Sequence, residues 1–131
     1  MKKNILLIDD DQVFNFLSTK VLQRLGVTDG IHSVTNARDA LKLINGRVTD
    51  LTTFPDVIFL DINMPMMDGF GFIEAFRKIS IPNRENIVIA IVTSSADTND
   101  IRRAQELGVT HYLTKPISEN SMRPVLASAG I

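Results

Sequence analysis

Five short apolar runs punctuate the chain, at residues 5–8, 31–34, 57–60, 87–92 and 109–113. The first, third and fourth are continuously apolar and rich in Ile and Val, the pattern of strands buried on both faces of a parallel sheet. Segments with helical spacing alternate with them. Phe14, Leu17, Val21 and Leu25 recur on one face, and Gly26 follows as a stop. Ala40, Leu41 and Ile44 share a second face, with Gly46 behind them. Phe70, Ile73, Phe76 and Arg77 continue a third helix after Gly69, and Ile101, Ala104 and Leu107 mark a fourth that ends at Gly108. Residues 119–129 predict a fifth.

Alternation of this kind specifies a parallel sheet with helices on both faces, because each crossover is right-handed. The expected fold class is therefore α/β, a (βα)5 three-layer sandwich of flavodoxin-like type with strand order 2-1-3-4-5. In such a sheet ligands bind beyond the carboxyl ends of the strands, where strands 1 and 3 lie side by side. No internal repeat or long linker interrupts the 131 residues, which suit one domain.

Composition narrows the chemistry. Hydrophobic residues make up 44% and charged residues 22%, the balance of a globular chain rather than a disordered one. The net charge of −1 provides no bulk positive field for nucleic acid or an anionic membrane. With no cysteine and two histidines, disulfide frameworks, thiol catalysis and zinc ribbons are excluded. The apolar run after Met1-Lys2-Lys3 stops within four residues at Asp9, too short for a signal peptide or a span. A cytoplasmic location is expected. Carboxylate, hydroxyl and amine chemistry remains.

Those groups fall at the predicted strand ends. The first strand delivers Asp9, Asp10 and Asp11, and the third delivers Asp61. An Asp after a strand often caps the next helix, and Asp11 is placed to do so. Acids on two neighbouring strands say more. Clustered like charges raise one another's pKa or demand a cation, and an all-oxygen set selects Mg²⁺, with Mn²⁺ as the alternative, over zinc. The fourth strand leads to Thr93, and the fifth to Thr114-Lys115-Pro116. Alone, the threonine reads as a turn residue and the lysine as a solvated one. Together with the acids they suit a nucleophilic Asp that accepts a phosphoryl group, whose charged oxygens a metal, a lysine and a hydroxyl can share.

At Ile8-Asp9-Asp10, at the stretch from Asp61 through Asn63, Met64 and Pro65 to Asp68-Gly69, at Val92-Thr93-Ser94 and at Tyr112-Leu113-Thr114-Lys115-Pro116, the chain resembles a response-regulator receiver domain of the single-domain, chemotaxis-regulator kind. The resemblance spans essentially the whole sequence. It implies Asp61 as phosphoacceptor, Asp10 as a direct Mg²⁺ ligand, Asp9 as a ligand acting largely through water, and the Asn63 backbone carbonyl as a further ligand. It also implies Thr93 as the switch hydroxyl, Lys115 as its charged companion before a cis peptide to Pro116, and Tyr112 as a switch aromatic. The implied donor is a histidine kinase or a histidine phosphotransfer protein. The implied output is an unidentified protein target, met by the face of the fourth helix, fifth strand and fifth helix. No direct nucleic-acid or membrane contact is expected, and the expected state is a monomer, with dimerisation on phosphorylation left open.

Two departures stand out. Asp10 and Asp61 are 51 positions apart, longer than the family norm, and the extra length is placed in 46–55, away from the carboxyl edge. Pro124 falls inside the fifth predicted helix, where proline costs about 3 kcal/mol, so a short or kinked helix is expected.

One rival is a haloacid-dehalogenase-like phosphatase. It needs a second Asp two residues after the nucleophile, where this chain has Asn63, so turnover is not expected beyond self-phosphorylation and slow self-dephosphorylation. A pseudo-receiver would lack an acid, the lysine or the hydroxyl, and none is missing. A receiver fragment of a larger transcription factor or hybrid kinase is the main alternative to a single-domain regulator. Asn63 and Ser95 are the positions where side chains would tune the lifetime of an aspartyl phosphate. His32 and His111 receive no phosphotransfer role, Met64, Met66 and Met67 are read as loop residues, and Arg102 and Arg103 as a solvated face.

Overall fold

The computed structural model describes residues 3–82, 84–94 and 97–131. Their order is β1 (Ile5–Ile8), α1 (Gln12–Arg24), β2 (Ile31–Val34), α2 (Ala37–Arg47), β3 (Val57–Asp61), α3 (Gly69–Arg77), a 3-10 turn (Arg84–Asn86), β4 (Val88–Thr93), α4 (Thr98–Glu106), β5 (His111–Thr114) and α5 (Glu119–Ser128). All strand pairs are parallel and the sheet order is β2-β1-β3-β4-β5, the expected flavodoxin-like arrangement.

The period of two along each strand divides the core into two layers. Leu6, Ile8, Ile58, Leu60 and Ile91 face α2, α3 and α4 through Ala40, Ile44, Phe72, Ile73 and Ala104. Ile5, Leu7, Val57, Phe59, Ala90 and Val92 face α1 and α5 through Val21, Leu22, Met122, Val125 and Leu126. The continuous apolar runs follow from this double burial: every residue of β1 and β3 is buried.

Helix α1 corrects the sequence expectation. Val21 is buried and Phe14 and Leu25 pack against the core as expected, but Leu17 is 55% exposed, and Asn15, Ser18 and Leu22 complete the buried face. Asn15 is buried with polar contacts. Asn15 Nδ2 donates to the carbonyls of Asp9 and Val34, tying the first turn to the ends of β1 and β2. Asp11 caps the helix as expected, its side chain accepting from the amides of Val13 and Phe14.

Gly46 does not stop α2, which continues to Arg47. The long connection to β3 sits at the amino edge of the sheet, away from the carboxyl edge, and is pinned there. Asn4, itself buried, donates from Nδ2 to the carbonyls of Thr52 and Phe54, and its backbone amide donates to Asp56 Oδ2.

Helix α5, placed at 119–129 and expected to be short or kinked at Pro124, forms over Glu119–Ser128 and runs through the proline. Met122, Val125 and Leu126 bury their side chains fully or nearly so, on the scale of 1.5–3 kcal/mol each, which outweighs roughly 3 kcal/mol for an interior proline. Arg103 is exposed, as expected, and it also bridges two helices. Its guanidinium lies 4.4 Å from the Phe70 ring centroid and 3.7 Å from Glu74 Oε1, strapping α4 to α3.

Candidate functional site

Strand register assembles the site. Ile8 pairs with Leu60, Asp61 with Val92, and Thr93 with Thr114. One step beyond these pairs, Asp9 leaves β1 and Lys115 leaves β5. Asp61 and Thr93 are the last residues of β3 and β4 themselves, one residue beyond the predicted runs. Asp9, Asp10, Asp61, Asn63, Thr93 and Lys115 therefore gather at one edge although they are spread over more than a hundred positions.

The three acids have different surroundings. Asp9 is buried: Oδ1 accepts from the Asp11 amide at 2.9 Å, and Oδ2 lies 2.7 Å from Lys115 Nζ. That second contact is an ion pair without hydrogen-bond alignment, so Oδ2 lacks a hydrogen-bond partner. Asp10 is exposed. Asp61 is 4% exposed, accepts from the Asn63 amide at 3.2 Å, and has Lys115 Nζ at 3.8 Å from Oδ2. Burial, and then the neighbouring Asp9 charge, push the Asp61 carboxyl from 3.8 up to about 6, against the pull of the Asn63 amide and Lys115.

Oxygen ligand atoms of Asp9, Asp10 and Asp61 lie within 4.8 Å of one another. Three hard carboxylate donors, one with a buried oxygen lacking a hydrogen bond, fit a small divalent cation. A void of about 10 Å³ lined largely by apolar side chains lies beneath Asp9 and Asp61, while larger concavities of about 560 and 410 Å³ open at the amino edge.

Thr93 is fully buried, and its hydroxyl accepts from Asn63 Nδ2 at 3.2 Å. Its backbone carbonyl accepts from the Lys115 amide at 2.8 Å, so the backbones of the two residues are joined. The Lys115–Pro116 peptide is cis. Tyr112 is half-buried beside the α4 layer, and burial, then Asp100 and Asp97, raise its phenol above the usual value. Ser95 lies outside the described residues.

The loop after β3 is shaped by glycine and strain. A Cβ on Gly69 would stand 2.7 Å from the Asp61 carbonyl oxygen and 2.8 Å from Ile62 Cα, so glycine alone lets α3 begin there. Met64 is buried and Met67 packs on the core, whereas Met66 is fully exposed with φ +72, a left-handed conformation unusual for a side chain of this kind. His111 Nε2 meets Ser128 Oγ at 3.0 Å and stands apart from the acids.

Two contributors escaped the sequence reading. Asn15 clamps the Asp9 carbonyl, and Phe14 places its ring centroid 4.3 Å from Lys115 Nζ. The available signal was Asn15 and Ser18 interrupting the apolar stripe of α1.

The family model for the response regulator receiver domain matches residues 5–127. The chain belongs to the response regulator receiver family. This receiver is 34% identical over 123 residues to the sensor histidine kinase CheAY of Helicobacter pylori, covering 93% of this chain and 14% of that protein. It is 29% identical over 125 residues to the probable chemotaxis protein CheY of Rhizobium etli, covering 95% and 90%. A two-component response regulator from Cytophaga hutchinsonii superposes with a TM-score of 0.88 at 29% identity, over 97% of this chain and 96% of that one. The receiver thus spans a small part of one curated relative and most of another. Receiver domains serve two-component signalling, generally without enzymatic turnover, in partnership with histidine kinases or phosphotransfer proteins. No described helix is long and apolar enough to cross a membrane.

Proposed function

We propose that this receiver takes a phosphoryl group on Asp61 from phosphohistidine of a histidine kinase or phosphotransfer protein, and so switches the surface formed by α4, β5 and α5. One observation carries the reading: Asp61 is buried at a strand end beside partner acids and an ammonium, with a buried hydroxyl at the end of the next strand.

An Asp61 carboxylate oxygen attacks phosphorus, the phosphorus–nitrogen bond of the donor breaks, and the imidazole leaves with that electron pair. The carboxyl pushed up to about 6 is largely ionised at neutral pH, as a nucleophile must be. Asp9, Asp10, Asp61 and the Asn63 backbone carbonyl would hold Mg²⁺, or Mn²⁺. When bound, the cation offsets the acids' charge and that of the phosphoryl oxygens. Lys115 then moves from Asp9 towards the new anion, and Thr93 donates its hydroxyl to a phosphoryl oxygen. Both movements pull on β4 and β5 and bias Tyr112 inward, a shift in an existing equilibrium. Asn63 lacks a carboxylate to activate water, which favours a slow return by hydrolysis.

The output partner is a protein, reached by a monomeric cytoplasmic domain occupying the chain as one receiver unit. Incubation with Mg²⁺ and acetyl phosphate, followed by intact-mass measurement, tests the central step. One added phosphoryl group on wild type and none on Asp61→Asn is expected. No label on wild type, or equal label on both, sinks it.

A further inference from the structure

We infer that Phe14 is a positioning residue for Lys115, holding its ammonium over the acids and free to slide between them. The inference rests on the phosphoacceptor reading of Asp61.

Among the described residues, two carboxylates and one ring lie close to Lys115 Nζ. Asp9 Oδ2 is at 2.7 Å, Asp61 Oδ2 at 3.8 Å and the Phe14 ring centroid at 4.3 Å. The lysine side chain is only 21% exposed. Its four-carbon stem is flexible, and nothing in the two ion pairs alone keeps the head group from turning to water. The phenyl face supplies that restraint without a lone pair that would compete for the ammonium's donors. The attraction acts within about 6 Å of the ring centroid, and the ammonium starts at 4.3 Å, which leaves room for a short displacement. The ammonium can therefore leave Asp9 for a phosphoryl oxygen on Asp61 without losing this contact.

The sequence places the ring there through α1. The Asp11 cap and the Asn15 clamp fix the first turn, so Phe14 is half-buried and turned to the site while Phe16, two residues on, is 59% exposed. Phe16 has its own cation, Lys20, at 5.2 Å on the outer surface, and serves as a control.

The test compares Phe14→Leu, Phe14→Tyr and Phe16→Leu by calorimetry, first with Mg²⁺ alone and then with beryllofluoride at saturating Mg²⁺. Loss of the ring face lets Lys115 swing outward, so it competes less with a cation for Asp9 and pairs less well with the phosphoryl mimic. Phe14→Leu is expected to bind Mg²⁺ about threefold to tenfold more tightly and beryllofluoride about threefold to tenfold more weakly. Phe14→Tyr and Phe16→Leu are expected to match wild type in both. A loosened or misfolded site weakens both ligands together, so equal or weaker Mg²⁺ binding by Phe14→Leu overturns the inference, as does a Phe14→Tyr that behaves like Phe14→Leu. Wild type that binds no beryllofluoride overturns the functional reading itself. Wild-type binding with an unchanged Phe14→Leu removes only the role of Phe14.

Discussion

Gly69 sits against the backbone of Asp61: a methyl group on the glycine would stand 2.7 Å from the aspartate's carbonyl oxygen. The Gly69 amide also donates to the Ile62 carbonyl at 3.1 Å. The start of α3 is thereby pressed onto the end of β3, and the position of Asp61 depends on a residue without a side chain.

Gly69→Ala is expected to destabilise the fold by about 1–3 kcal/mol, because the neighbours are main-chain atoms with little room to yield. Denaturant unfolding measures the loss. Phosphoryl uptake should fall as well, since Asp61 moves with its backbone. Wild-type stability in this variant would show that the contact relaxes freely.

Asp61 should cost stability at neutral pH. Its folded carboxyl titrates near 6, above the ordinary 3.8, so the folded state holds its proton where the unfolded state has released it. Stability contributed by protonated Asp61 is full below about 3.8, falls as pH rises, and is gone above about 6. A rise from 3.8 to about 6 corresponds to about 3 kcal/mol at most. In metal-free buffer Asp61→Asn should therefore melt several degrees higher than wild type at pH 7.5, with the gap closing as pH falls towards 4. A gap independent of pH would contradict this titration.

Tyr112 is the only tyrosine and the chain has no tryptophan, so intrinsic emission reports this ring alone. Beryllofluoride with Mg²⁺ is expected to change that emission in wild type. Thr93→Val removes the hydroxyl that accepts from Asn63 at a cost of about 1 kcal/mol, and should bind the mimic with most of the emission change lost. A full Tyr112 response in Thr93→Val would uncouple hydroxyl and ring.

Pro124 occupies an exposed position inside α5. Pro124→Ala supplies the missing amide donor, and should raise stability by about 1–3 kcal/mol, seen as a higher melting temperature. An unchanged or lower melting temperature would mean that the proline's restriction of the unfolded chain offsets its missing bond.

Much of the fold was legible because its signals are local. Continuous Ile and Val runs announce strands covered on both sides, and β1, β3 and the second half of β4 are buried throughout. On α1 only Leu17 was misplaced: periodicity counts apolar residues, and it does not register that Asn15 is buried through its hydrogen bonds. Pro124 was overweighted for a related reason: propensity omits the burial of Met122, Val125 and Leu126. The contacts of the exposed Arg103 were not legible because Phe70 and Glu74 lie on another helix.

By itself, the sequence determined the alternation of strands and helices and the delivery of Asp9, Asp10, Asp61, Thr93 and Lys115 to strand ends, since both depend on residue type and spacing. Only the tertiary structure decided how those groups share their charges. Lys115 rests 2.7 Å from Asp9 and 3.8 Å from Asp61, Phe14 covers the ammonium, and the Asp61 carboxyl is pushed up to about 6. Electrostatic strength at these separations turns on ångström differences and on exclusion of water, which arise from packing between elements distant in the chain.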